Sequence, residues 1–139
     1  MSKSKPRRYL LDSSAVLAFL EDEEGAAKVE RLLLDKDNEV LLPFLVLLEV
    51  YYITLQEQSE AVADWRYALL KQLPVRILWD VDEPTLLTAA RIKARYNLSL
   101  ADAIIAAFAY QYEAVLVHKD PEFEVLEQLR QEPLPYKTG

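Results

Sequence analysis

The apolar positions fall into short blocks whose period alternates between that of a strand and that of a helix. YLLD at 9–12 is a brief apolar run fitting a buried strand, and SSAVLAFL at 13–20 then has helical character. From Glu23 to Leu34, residues Ala26, Val29, Leu32 and Leu33 recur at spacings of three and four, which predicts an amphipathic helix. Glu39–Leu42 reads as a second strand, and Pro43 suits the first turn of a helix running to about Glu57. Another helix is expected over 59–73, with Val62, Trp65, Leu69 and Leu73 on one side; Pro74 ends it, and VRILW gives a third strand. Helices follow over 83–96, closed by Asn97, and over 100–112, and AVLV at 114–117 forms a fourth strand. The remainder predicts a short helix from Pro121 to Arg130 and an edge strand at LPYK.

Strands separated by helices indicate an α/β fold, a three-layer α/β/α sandwich around a mainly parallel sheet. All 139 residues are read as one domain, with a core over about 8–130 and flexible or edge segments at 1–7 and 131–139. Gly25 and Gly139 are the only glycines, so a glycine-rich phosphate loop is excluded, and P-loop and dinucleotide-binding functions with it.

The polar residues inside the apolar blocks carry the chemistry. Between Val40 and Ile53 the chain reads VLLPFLVLLEVYYI, and Glu49 is its only charge. A buried, unpaired carboxylate is costly, and a partner or a metal ion relieves that cost. Three aspartates occupy similar junctions: Asp12 ending YLLD, Asp102 opening ADAIIAAFA, and Asp120 just after AVLVHK. In an open parallel sheet, ligands bind outside the carboxyl ends of the strands. Asp12 and Asp120 fall at that edge, Asp102 lies in the first turn of its helix, and Glu49 reaches in from about two turns into its own. Carboxylates gathered there repel one another unless protonated or bridged by a cation. Hard ions such as Mg²⁺ or Mn²⁺ suit all-oxygen ligands.

Each acid also has a purely structural explanation. Asp12 could cap the following helix, and Ser99-Leu100-Ala101-Asp102 has the form of a capping box. Asp120 before Pro121 could be a turn residue, and Glu49 could point outward. Their joint placement is what favours a metal site.

Charge and cysteine content narrow the picture. A net charge of −7 argues against broad electrostatic attraction to nucleic acid, while remaining compatible with a local basic surface. No cysteine is present, which removes disulfides and thiolate metal sites and suits a reducing cytoplasm. Lys3, Lys5, Arg7 and Arg8 precede an apolar stretch in the manner of a secretion signal, but Asp12 interrupts it and no small-residue cleavage pattern follows. The run from Val40 to Ile53 is shorter than the roughly 18–20 residues of a membrane span. The chain is therefore expected to be soluble and cytoplasmic, without a membrane partner.

LLDSSAVLAFL, the isolated Glu49 in LLEVYYI, LSLADAIIAAFA and AVLVHKDPEF together resemble the successive signatures of the PIN domain. Size and spacing are most similar to the VapC-type toxins of prokaryotic toxin–antitoxin pairs, and the resemblance runs from Tyr9 to Leu126. It implies a Mg²⁺- or Mn²⁺-dependent endoribonuclease with an acidic quartet. Asp12 matches the first acid, Glu49 the second, Asp102 the third and Asp120 the fourth. Asp12 and Asp102 would be the core metal ligands, with Glu49 and Asp120 completing the shell or positioning water. Ser13 corresponds to the small hydroxyl residue after the first acid, and Ser99 and Glu122 are auxiliary candidates. His118 departs from the pattern, standing where Thr or Ser is usual; as the single histidine, it cannot form a catalytic histidine pair within one chain.

For RNA contacts the candidates are Arg91, Lys93, Arg95 and Lys119, which could equally be a solvated helix face and a loop charge. The resemblance further implies a homodimer and a cognate antitoxin. A phospho-receiver domain is disfavoured, since it requires paired acids after the first strand and only Asp12 is there. A housekeeping nuclease and a non-catalytic RNA- or protein-binding scaffold remain as alternatives.

Overall fold

The protein is described by a computed structural model over residues 7–137. Within these residues five strands form one sheet: β1 (Arg7–Leu11), β2 (Asn38–Pro43), β3 (Arg76–Leu78), β4 (Val115–His118) and β5 (Gln131–Pro133). Their order is β3-β2-β1-β4-β5, and every adjacent pair is parallel. Six α-helices connect them: α1 (Ser13–Leu20), α2 (Ala26–Leu34), α3 (Phe44–Glu57), α4 (Glu60–Gln72), α5 (Glu83–Arg95) and α6 (Leu100–Gln111). This is the α/β architecture expected from the alternation of periods.

The three central strands are apolar runs because helices cover both their faces. Leu10, Leu11, Leu41, Leu42, Leu116 and Val117 are all buried there. The edge strands β3 and β5 are three residues each, short enough to offer little unpaired backbone. From β1 the chain steps to β2 and β3 in one direction, then crosses back to β4 on the far side of β1. Right-handed crossovers put α1–α4 on one face and α5–α6 on the other, in keeping with α1 packing on α2 and α3, α3 on α4, and α5 on α6. The direction of travel reverses between β1 and β4, and such a reversal opens a crevice at their carboxyl ends.

Several boundaries differ from expectation. Pro43 is the last residue of β2 and immediately precedes α3, rather than sitting in its first turn. Tyr96, not Asn97, closes α5. The segment 121–130 is not an α-helix: a 3-10 turn covers Pro121–Val125, and further i→i−3 bonds run from Leu126 to Phe123 and from Leu129 to Leu126. Phe123, Leu126 and Leu129 are buried at a spacing of three, which such turns satisfy as well as an α-helix does. The edge strand is Gln131–Pro133, and of LPYK beyond it Leu134 still donates its N–H to the His118 carbonyl of β4. Arg7 belongs to β1, while residues 1–6 and 138–139, also expected to be flexible or edge, lie outside the described residues. Among the described residues no helix is long and apolar enough to cross a membrane.

The helix predicted from Glu23 begins only at Ala26, because Gly25 turns the chain with φ +102°. A Cβ at Gly25 would lie 3.0 Å from the Cβ of buried Leu134. Gly25→Ala therefore combines an unfavourable backbone with a collision. It is expected to cost about 1–3 kcal/mol in urea unfolding; wild-type stability would show that the Leu134 segment yields freely.

Candidate active site

Asp12 lies directly beyond β1 at the crevice, and its backbone N–H donates to the Val117 carbonyl at 3.1 Å, tying it to β4. Its Oδ1 accepts from the Ala15 N–H at 2.8 Å, so it does cap α1. The Ser14 hydroxyl lies 2.8 and 2.9 Å from the two carboxylate oxygens and donates to them. With 3% of its surface exposed, Asp12 has its carboxyl pushed up to about 7. Loss of water is the main cause; the bonds from Ala15 and Ser14 oppose it, and Asp102 and Asp120 add repulsion.

Asp102 occupies the first turn of α6, where its backbone N–H donates to the Ser99 hydroxyl at 3.1 Å. Ser99 is thus the cap of α6. The Asp102 carboxyl is pushed up to about 6, first by burial and then by the charges of Glu49 and Asp120, and a side-chain hydrogen bond from Ser99 partly offsets that push. Glu49, half-buried on α3, accepts a bond from the Ser13 hydroxyl at 2.5 Å on Oε1. Asp120 follows β4 and caps the 3-10 turn, its Oδ1 accepting from the Glu122 N–H at 2.9 Å.

The structural explanations and the site are therefore compatible for Asp12 and Asp120, since each carboxylate is held in place by the backbone it caps. Asp102, Asp120 and Glu122 each offer an oxygen within 4.8 Å of the others. Asp12 and Glu49 border this group, close enough that their charges act on Asp102 or receive its repulsion. Among the described residues no Lys or Arg forms an ion pair with any of these acids. An oxygen-only donor set with unbalanced negative charge fits a hard divalent cation.

The basic candidates separate. Lys119 is already engaged: its side chain is 6% exposed, and its Nζ donates to the Glu24 carbonyl at 2.8 Å beside Glu23. It fastens the end of β4 to the turn before α2. Lys93 donates to the Leu98 carbonyl at 2.9 Å and so braces the connection between α5 and α6. Arg91 and Arg95 are exposed one turn apart on α5, without an ion pair among the described residues.

One site residue escaped the sequence reading. Ser14 donates to Asp12 and accepts the Lys119 N–H at 2.8 Å, so one hydroxyl joins the ends of β1 and β4. The second serine of DSS was its only signal.

A sequence model of the PIN domain matches residues 9–129. The chain belongs to the PIN domain family. Its fold is similar to VapBC2 from Rickettsia felis bound to a promoter DNA fragment, with a TM-score of 0.76, 17% identity, and 92% of this chain and 99% of that chain covered. VapBC-1 from nontypeable Haemophilus influenzae superposes with a TM-score of 0.73 at 20% identity, over 91% of this PIN domain and 97% of that chain. VapC20 of Mycobacterium tuberculosis, a toxin that cleaves the sarcin–ricin loop, gives 0.68 at 17% identity, covering 85% and 94%. At these identities the likeness is one of fold. No curated protein matches the sequence.

Proposed function

We propose that this PIN domain is a Mg²⁺- or Mn²⁺-dependent endoribonuclease and the toxin of a toxin–antitoxin pair. The observation that carries the proposal is the gathering of Asp12, Glu49, Asp102, Asp120 and Glu122 at the crevice between β1 and β4, with no Lys or Arg among the described residues ion-paired to them. Asp102, Asp120 and Glu122 would hold the cation, with Asp12 and Glu49 completing the acidic set. A divalent ion there would acidify water for in-line attack on a phosphodiester and offset the charge that develops on the phosphate.

The chain's own groups prepare the site. Burial leaves Asp12 and Asp102 readily protonated in the metal-free protein, so they would have to give up those protons to hold a cation. The Ser13 hydroxyl occupies Oε1 of Glu49 and leaves Oε2 to orient a water molecule or accept its proton. Arg91 and Arg95 supply positive charge for the RNA backbone. Purified protein should cut single-stranded or loop RNA in Mg²⁺ or Mn²⁺ and stop in EDTA. Cleavage that persists in EDTA would defeat the metal reading, and RNA binding without cleavage in Mn²⁺ would favour a scaffold.

The partner follows from the surface. Leu48, Tyr52 and Leu55 are exposed at i, i+4 and i+7 along α3, and Trp65 is exposed on α4. Apolar side chains aligned in this way suit a protein interface, and several structural neighbours are toxin–antitoxin complexes. We therefore propose a homodimer that a small antitoxin silences. Light scattering should give a dimer at micromolar concentration, and expression alone should arrest growth until the adjacent reading frame is co-expressed. A monomer with no effect on growth would point instead to a housekeeping nuclease.

A further inference from the structure

His118 lies at the end of β4, fully buried, two residues before Asp120. Its Nδ1 is 3.1 Å from the Asp120 backbone nitrogen and its Nε2 is 2.8 Å from Oε1 of Gln131. The amide nitrogen of Gln131 donates to the carbonyls of Phe123, at 2.9 Å, and Leu126, at 3.0 Å. Both hydrogens of that amide are thereby used, so Oε1 can only accept. The imidazole must then carry its hydrogen on Nε2 and present an unprotonated Nδ1 to the Asp120 N–H. The ring itself is held by Phe123, with centroids 5.1 Å apart, and by Tyr136, stacked at 6.2 Å. The backbone is fixed as well, since the Leu134 N–H donates to the His118 carbonyl at 2.7 Å.

We infer that His118 is a positioning residue: by accepting the Asp120 N–H, it fixes the loop that carries Asp120 and Glu122 and so sets the cation affinity of the Asp102–Asp120–Glu122 group. The order passes along the chain, because Asp120, once held, accepts the Glu122 N–H through its own carboxylate. Gln131 couples the same ring to the two turns after Pro121, so β5 and the acidic loop are secured together. A loop ordered beforehand has less freedom to lose when the ion binds, and partners of this kind behind the ligands tune metal affinity by about 10–100-fold. This inference rests on the metal reading of the site and goes beyond it.

Two substitutions separate the two ring nitrogens. His118→Asn places an amide oxygen near the position of Nδ1 and can still accept the Asp120 N–H. His118→Gln reaches towards Gln131 and leaves that N–H without its acceptor. Mn²⁺ affinity by calorimetry and hydrogen exchange of the Asp120 amide in metal-free protein are the readouts. His118→Gln should weaken Mn²⁺ by about 10–100-fold and expose the amide, while His118→Asn stays within about threefold and keeps it protected. Equal losses in both variants, or wild-type affinity in His118→Gln, would overturn the inference. If His118→Gln is unfolded by circular dichroism, His118→Phe replaces it, because it keeps a ring between Phe123 and Tyr136 but offers the Asp120 N–H no acceptor. Unchanged Mn²⁺ affinity in that variant would equally overturn the inference. Wild-type protein that binds no Mn²⁺ would defeat the metal reading and the affinity half of the inference together. The exchange pattern, which needs no metal, decides the loop lock by itself.

Discussion

Asp102→Asn should lower metal-supported RNA cleavage by at least about two orders of magnitude, the loss that follows removal of one electrostatic contact to the transition state. Asp102 is the acid that the other four converge on: it groups with Asp120 and Glu122, feels the charge of Glu49, and itself repels Asp12. Asparagine keeps the shape and leaves the backbone bond to Ser99 intact, so α6 retains its cap. Loss of activity without loss of folding is the expected outcome. Asp12→Asn should fall by a similar factor, while its amide oxygen can still accept the Ala15 N–H and hold the start of α1. Single-turnover rates on a loop RNA, with circular dichroism as the control for folding, test both. Wild-type rates in the two variants would remove the acids from the chemistry.

Much of this arrangement was legible because burial and chemistry coincide in the sequence. Leu10, Leu41 and Leu116 sit in runs that are apolar throughout because their strands are covered on both faces, and such runs announce a parallel sheet. Asp12, Asp102 and Asp120 stood out because each breaks the edge of an apolar block, which is where strand or helix ends meet the crevice. Lys119 shows why basic residues are hard to assign from sequence. A lysine beside an acid reads as a ligand contact, yet its long stem lets the ammonium reach the Glu24 carbonyl while the stem is buried. Glu122 was underweighted because an exposed acid in a loop carries no periodic signal, and only the 3-10 turn brings it to Asp102. Ser14 and Gln131 act through hydrogen bonds between segments far apart in the chain, which no local pattern encodes.

The stability of the metal-free protein should run against the usual trend with pH. Asp12 and Asp102 are pushed up from an ordinary 3.8 to about 7 and about 6 in the folded state. Between those limits the folded chain binds more protons than the unfolded one, so stability falls as pH rises. The contribution is fully present below the unfolded value and is gone above the folded one. The melting temperature without metal should therefore drop between about pH 4 and pH 7, and Asp12→Asn should flatten much of that slope. A cation that binds only the folded state reverses the effect, adding about 2.7 kcal/mol at one hundred times its dissociation constant. For a chain of this length that is a rise of roughly 5–10 °C. The rise should be larger at the higher pH, where protons no longer compete for the carboxylates. Mn²⁺ should act at lower concentration than Mg²⁺. Asp12→Asn should show a smaller shift from an equal or higher metal-free starting point, since one repelling charge has gone. Thermal melts of both proteins across a metal titration at two pH values, with ionic strength matched by Na⁺, provide the measurement. An identical metal shift in wild type and variant at both pH values would place the ion away from Asp12 and leave the repulsion at the crevice unrelieved by it.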